Sequence, residues 1–266
     1  MIGFLSHFSA PVVAVMMIAI FLIPSIGCLW LVKRFCKPLL FTHHTDFGGI
    51  FSNAIGVVFA LILAFVAVAV WQNYDRIDDS VSKEANTLNN IYCNMAAYPE
   101  PVRTESQVLI REYVQRVIKD EWPKLARGEQ DETAQHLLIR INRLILTYIP
   151  RHNGELVLHQ ETMRHLNDYR GLRHDRILGG DPKLGSPMWI TLIGGTILFL
   201  LYLCFFDVPS FLRHAVMIGT MATVLGLVFY LLVLYNFPFD EPTAISTESF
   251  QKLLEYWKIN LIPSTQ

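Results

Sequence analysis

The residues with the widest chemical reach are nine histidines and four cysteines in a chain of 266. His43 and His44 followed by Asp46, and Glu161 with His165 one helical turn later, come nearest to a metal site. Metal sites gather three or four convergent ligands, and neither an HExxH run nor a two-Cys, two-His spacing occurs. These histidines are expected in solvent or at a membrane interface, and no metal or other cofactor is expected. Cys28, Cys36, Cys93 and Cys204 form no CxxC pair, so neither a zinc knuckle nor a disulfide framework is expected. A lone thiol at Cys93 in the polar part of the chain agrees with a reducing compartment. A GxSxG elbow, a phosphate-cradling glycine loop and a dinucleotide fingerprint are all missing. No catalytic residue is therefore assigned, and an enzyme is the disfavoured class. The formal net charge of -1 leaves no surplus of Lys and Arg for phosphate, so nucleic acid is not an expected partner.

A pore needs no catalytic motif, and one apolar segment has suitable spacing. Gly56, Phe59, Leu63, Val66 and Val70 recur every three and four residues, and bulky apolar rings from several subunits would make a constriction that dewets. Lipid or neighbouring helices would accept the same side chains. The adjacent face, Asn53, Ala60, Ala64 and Ala67, is small enough for close helix contact. Further along stand Asp75, Asp78, Asp79 and Glu84 against Arg76 and Lys83. Repeated around an axis, the acids would draw cations into a vestibule; alternatively they solvate the outer face of a helix.

The elements that must position these residues follow from hydropathy. Hydrophobic residues make up 52% of the chain and charged ones 17%, below the quarter usual in soluble domains, so the apolar excess needs a bilayer. It gathers in residues 12–32, 50–71, 187–206 and 215–235, each of about 20 residues, the length that crosses a bilayer core. No basic residue precedes the first run and it continues past any cleavage point, which argues against a signal peptide. Ser25-Ile26-Gly27-Cys28 resembles a lipoprotein cleavage site only faintly.

The second run passes without Pro or Gly into residues 72–97, where Ile77, Val81, Leu88, Ile91 and Met95 keep a three-and-four spacing. This predicts one long helix leaving lipid at Trp71 and Tyr74, an aromatic belt position. Pro99 and Pro101 end it. Helices are predicted over 102–125, 132–148 and 153–178. Their apolar stripes are Leu137, Leu138, Ile141, Leu144, Ile145 and Tyr148 in the second and Leu156, Met163, Leu166, Tyr169 and Ile177 in the third. Gly179-Gly180-Asp181-Pro182 breaks the chain before it re-enters the membrane. Gly194, Gly195, Gly219, Thr223 and Gly226 favour close packing of the last two spans. In the tail, Phe250, Leu253, Leu254 and Trp257 share one face of a short amphipathic helix, expected on the soluble domain or the bilayer surface.

The fold class read from this is all-α, with four transmembrane helices and a helical soluble domain inserted between the second and third spans. Its parts are a membrane domain over 1–75 and 186–236, the soluble domain over 76–185 and a tail over 237–266. Near the membrane, Arg76, Lys83, Arg170, Arg173, Arg176 and Lys183 lie on the insert's side and Lys33, Arg34, Lys37 and Arg213 on the other. This puts the insert in the cytoplasm.

The run Glu84-Ala85-Asn86-Thr87-Leu88-Asn89-Asn90-Ile91-Tyr92 after Trp71 and Tyr74, with Pro238-Phe239, Ile245-Ser246 and Phe250 beyond the last span, resembles the bestrophin-like family of bacterial membrane proteins over nearly the whole chain. The resemblance implies a homo-oligomeric ion channel in the bacterial inner membrane, with the lipid bilayer and permeant ions as partners and second helices lining a hydrophobic neck. By role, Phe59, Leu63 and Val66 would be neck residues and Asn53 a polar mouth. Bestrophins conduct chloride, which sets the resemblance against the acidic residues. The competing class is a non-conducting anchor or sensor whose helical insert docks a partner protein.

Overall fold

The computed structural model describes residues 9–35, 45–180, 184–240 and 243–259, and among these it is helical with no strand. His43, His44, Cys36, Lys37, Asp181, Pro182, Lys183 and Pro242, and the side chain of Asp46, lie outside the described residues. In chain order the elements are α1 (Ala10–Phe35), α2 (Thr45–Met95), α3 (Val102–Arg116), a π-helical turn (Val117–Glu121) and α4 (Trp122–Ala126). They continue with α5 (Glu132–Leu146), α6 (Asn153–Gly179), α7 (Ser186–Cys204), α8 (Phe211–Asn236) and α9 (Glu248–Ile259). α1, α2, α7 and α8 are each long and apolar enough to cross a membrane. The contacts divide the chain into two compact units, one of Met1–Tyr74, Pro182–Asn236 and Glu241–Thr243, the other of Asp75–Asp181, Phe237–Asp240 and Ala244–Gln266.

α2 belongs to both units. It holds 51 residues, no proline interrupts it, and at 1.5 Å per residue it is about 75 Å long. It ends where Pro99 and Pro101 withhold the amide protons that another turn would need.

In the first unit Phe59, Leu63, Val66 and Val70 of α2 pack among Val13 and Met17 of α1, Leu192, Phe199 and Leu200 of α7, and Ala222, Leu225, Phe229 and Leu232 of α8. Two glycines set the spacing. A Cβ on Gly226 would stand 3.0 Å from the Ile18 Cα and 3.2 Å from the Met17 carbonyl, so α1 and α8 touch backbone to backbone. A Cβ on Gly195 would stand 2.5 Å from the Phe59 ring, which lies in the notch that this glycine leaves. A second cluster joins Leu29 and Val32 of α1 to Cys204, Ala215 and Ile218.

In the second unit Ile77, Val81, Leu88, Ile91 and Met95 of α2 are buried, as their spacing predicts. The segment 102–125, read as one helix, contains the π turn between α3 and α4 and stops at Gly128, whose φ of 70° and amide bond to Leu125 O close it. The tail helix α9 buries Phe250, Leu253 and Trp257 in this unit. Trp257 stacks on Tyr92 at 4.1 Å and donates its indole N–H to Asn89 Oδ1 at 2.9 Å. The stripe expected on α6 is only partly right, because Leu156 is exposed and the buried positions are Thr162, Leu166, Tyr169, Arg173, Arg176 and Gly179. Two of the basic residues counted for orientation therefore lie in the core.

Candidate functional site

The structure uses the faces of α2 differently from the sequence reading. Phe59, Leu63, Val66 and Val70, expected to line a pore, are between 1% and 9% exposed and face the protomer's own core. Gly56 joins them, with the Phe199 ring 3.3 Å from where its Cβ would be. The physical reason is the notch at Gly195, which admits the Phe59 ring against α7 and fixes that stripe inward. Asn53 is exposed.

The opposite face carries a second apolar stripe, Leu61, Phe65 and Val68, continued by Gln72 at the same three-and-four spacing. Leu61 is 52% and Phe65 73% exposed. Between the two stripes, one flank of α2 forms a furrow with α8. Gly49, Asn53, Gly56, Ala60, Ala64 and Ala67 face Met221, Val224, Leu225, Val228 and Leu231 across a cavity of about 670 Å³. A further space of about 310 Å³, sharing Ala67 and Leu231, carries the furrow on to Trp71 and Tyr235.

Of the acidic residues expected to form a vestibule, Asp75 and Asp78 are exposed, and Asp79 is paired with Lys83 one turn on. Glu84 does not belong with them. Its side chain is 0% exposed and makes a two-pronged pair with Arg176 of α6, at 2.7 and 3.1 Å. Arg176 also donates to Glu121 at 2.6 Å and lies over the Trp122 ring at 5.0 Å. Arg173 donates to the other Glu121 oxygen at 2.8 Å and to Gln135 at 2.7 Å. The extra residue in the π turn ends at Glu121, delivering its carboxylate between the two guanidiniums.

The result is a buried quartet of two acids and two arginines that is neutral as a whole. Burial alone would push the Glu121 carboxyl up, but Arg176 and Arg173 outweigh it and hold the carboxyl below the usual range. Burial would weaken the charge on Arg176, yet Glu84 and Glu121 hold its proton well above the usual arginine range. Tyr169 donates to Tyr113 at 2.6 Å beside the quartet, and burial pushes both phenols far up. Elsewhere in the unit the buried Asp131 accepts from Arg116 at 2.7 Å and from Lys124 at 2.8 Å, which holds its carboxyl well below the usual range.

Sequence reading missed this quartet although the signal was present. Glu84 falls on the stripe Ile77, Val81, Leu88, Ile91, and Arg173 and Arg176 continue Thr162, Leu166, Tyr169 at the same period. A charge that keeps an apolar period is a buried charge, and it must have a partner. Glu161 and His165 form a 3.2 Å pair on α6. Among the described residues no group of three His, Cys, Asp or Glu could hold a metal ion.

The residues singled out at 84–92 and 238–250 converge on two tryptophans. Besides the Trp257 contacts with Tyr92 and Asn89, the Trp122 indole donates to Ile245 O at 2.8 Å and meets the rings of Phe239 and Phe250 edge-on. The Bestrophin-like domain family matches residues 19–250. No curated protein matches the chain. A crystal structure described as that of a membrane protein superposes with a TM-score of 0.64 at 13% identity, covering 91% of this chain and 97% of the other. At that identity the likeness is one of fold.

Proposed function

From the premise that this chain, a multi-pass membrane protein, belongs to the bestrophin-like family, we propose that it is the protomer of a homo-oligomeric ion channel whose second helices surround a common axis. The observation that carries this reading is the face of α2 that the protomer leaves uncovered. Leu61, Phe65 and Val68 give it an apolar stretch, and Gln72, Asp79 and Lys83 continue it with polar side chains at the same spacing. Copies facing inward would stack Leu61 and Phe65 into apolar rings, a constriction that water leaves readily and an ion crosses only when it widens. The reading needs no cofactor and no catalytic residue.

The second unit is the soluble domain, inserted between the second and third spans and placed in the cytoplasm of a bacterial inner membrane. The Lys and Arg near the ends of the spans support that side, since orientation follows those residues as the chain inserts. The acidic case for cation selectivity narrows to Asp75 and Asp78, because Glu84 and Asp79 are paired.

Planar-bilayer recording of the purified protein tests the reading. Leu61→Ala and Phe65→Ala should raise conductance or open probability, while Phe59→Ala should instead destabilise the protomer by about 3–5 kcal/mol. Absence of current in the parent and in both neck variants under every ionic condition would leave the non-conducting anchor. Reversal potentials in a salt gradient, with and without Asp75→Asn and Asp78→Asn, read the sign of the permeant ion.

A further inference from the structure

We propose that Cys28 and Cys204 are a redox pair that closes into a disulfide between α1 and α7, at the outer end of the first unit. The outer placement rests on the orientation proposed above, with the insert in the cytoplasm. The pairing itself rests on the first unit alone.

No CxxC spacing announces the pair, and the fold assembles it from two helices. α1 and α7 approach to within 8 Å between Cα atoms. Lys33 of α1 donates to Val208 O, just beyond the end of α7, at 2.5 Å. Cys28 stands five residues before Lys33 and Cys204 four before Val208, so this bond sets the two cysteines at one level of the unit. His214 of α8 donates to Leu203 O at 3.1 Å and ties down the same end of α7. Cys28 packs against the cluster of Leu29, Val32, Cys204, Ala215 and Ile218, and its thiol meets the Cys204 thiol.

Burial gives the two sulfurs different parts. Cys204 is 0% exposed, whereas Cys28 is partly open. Exchange with a donor disulfide runs through a mixed disulfide, so the open sulfur meets the donor and the buried one resolves it. Cys28 loses its proton and attacks one donor sulfur; the other donor sulfur leaves and takes up a proton as a thiol. Cys204 then loses its proton and attacks the Cys28 sulfur, and the second donor sulfur leaves as a thiol. The two cysteines together give up two electrons and two protons, and the donor disulfide receives them.

The compartment decides whether such a donor is at hand. Disulfides form and persist outside the cytoplasm, where disulfide carriers supply the oxidant. The exposed thiol, Cys93, belongs to the second unit, so the orientation keeps it on the reducing side and puts the adjacent pair on the oxidising one. Once closed, the bond fastens α1 to α7 covalently.

Two measurements on the full chain test this. In the first, protein with Cys36 and Cys93 replaced by alanine is purified, reduced and given oxidised glutathione. The parent of this series should become two hydrogen masses lighter and carry no glutathione, with Cys28 and Cys204 joined in the peptide map. Adding Cys204→Ala should leave one glutathione on Cys28, since nothing resolves it. Adding Cys28→Ala instead should slow the reaction at least about ten-fold, because the remaining thiol is buried. A folded parent that stays reduced or keeps its glutathione overturns the proposal, as does a Cys28→Ala variant that reacts as fast as the parent.

In the second, cells making the Cys36→Ala chain are acid-quenched and their thiols blocked, and the oxidised fraction is read by mass. Labelling of Cys93 by a membrane-impermeant maleimide, in spheroplasts against broken membranes, reads the orientation separately. The pair should be oxidised and Cys93 protected until the membrane is broken. A reduced pair with Cys93 protected overturns the proposal and leaves the orientation standing. A reduced pair with Cys93 labelled in spheroplasts overturns both.

Discussion

Replacing Arg176 by methionine isolates what the buried quartet does. Methionine nearly fills the space of the arginine stem, so the change removes charge and hydrogen bonds more than volume. Three bonds disappear: two to Glu84, at 2.7 and 3.1 Å, and one to Glu121, at 2.6 Å. Glu121 keeps Arg173, at 2.8 Å, but Glu84 is left as a carboxylate with 0% exposure and its guanidinium gone. Breaking a buried pair from one side costs about 3–5 kcal/mol, because the surviving charge stays out of water. For a unit somewhat above 100 residues, where each kcal/mol moves the midpoint by roughly 3–5 °C, the second unit should melt about 10–20 °C lower. Differential scanning fluorimetry on the purified full chain reads this through Trp122 and Trp257, which are buried in that unit.

A second variant makes the test sharper. The double variant Glu84→Gln and Arg176→Met, with no charge to strand, should recover more than half of the loss at pH 7.5. A midpoint shift under 3 °C, or a loss that is the same in the double variant, would refute the reasoning.

Four further outcomes are expected. The parent's second unit should lose stability as pH falls below about 4: the carboxyls of Glu121 and Asp131 are held below their unfolded values of about 4.3 and 3.9, so their contribution is present above that window and fades beneath it. Asp131→Asn should flatten the acid limb of a midpoint-against-pH curve. Gly195→Ala should cost about 1–3 kcal/mol by driving a methyl into the Phe59 ring, and Phe59→Leu in that background should restore part of it, both read from thermal unfolding. Trp257→Ala should cost about 3–5 kcal/mol and expose residues 244–259 to limited proteolysis, since the stack on Tyr92 and the bond to Asn89 go together.

What was legible in the sequence was whatever a single helix decides for itself. The four apolar segments, the uninterrupted passage from residue 50 to 95 and the stops at Pro99 and Gly128 all rest on local hydropathy and backbone chemistry, and the helices stand there. What a single helix does not decide is which face it turns to the protomer's own core. Two apolar stripes run along the first half of α2, one through Phe59 and one through Phe65, and a bilayer accepts either outward. Only the notch at Gly195, on a helix more than 100 residues away in sequence, turns the first of them inward. The misplacement of Glu84 has a different origin. The reading counted apolar residues for the core and charges for the surface, although Glu84, Arg173 and Arg176 each kept the period of a buried stripe. The π turn Val117–Glu121, which ends on the buried Glu121, has no local sequence signature of its own.

One property of α2 joins its two halves. From Phe59 to Met95 is thirty-six positions, ten turns, and the buried residues Phe59, Leu63, Val66, Val70, Ile77, Val81, Glu84, Leu88, Ile91 and Met95 stay on one face throughout. The face opposite is exposed just as consistently, through Leu61, Phe65, Val68, Gln72, Asp79, Lys83, Asn86 and Asn90. Turning the first half of α2 by one residue would withdraw Phe59 from the notch at Gly195. Turning its second half would withdraw Glu84 from Arg176, so each core fixes the face of its own stretch of helix. Thiol-reactive probes should therefore label Leu61→Cys and Phe65→Cys faster than Phe59→Cys in the membrane, and the reverse order would show that α2 turns its other face outward.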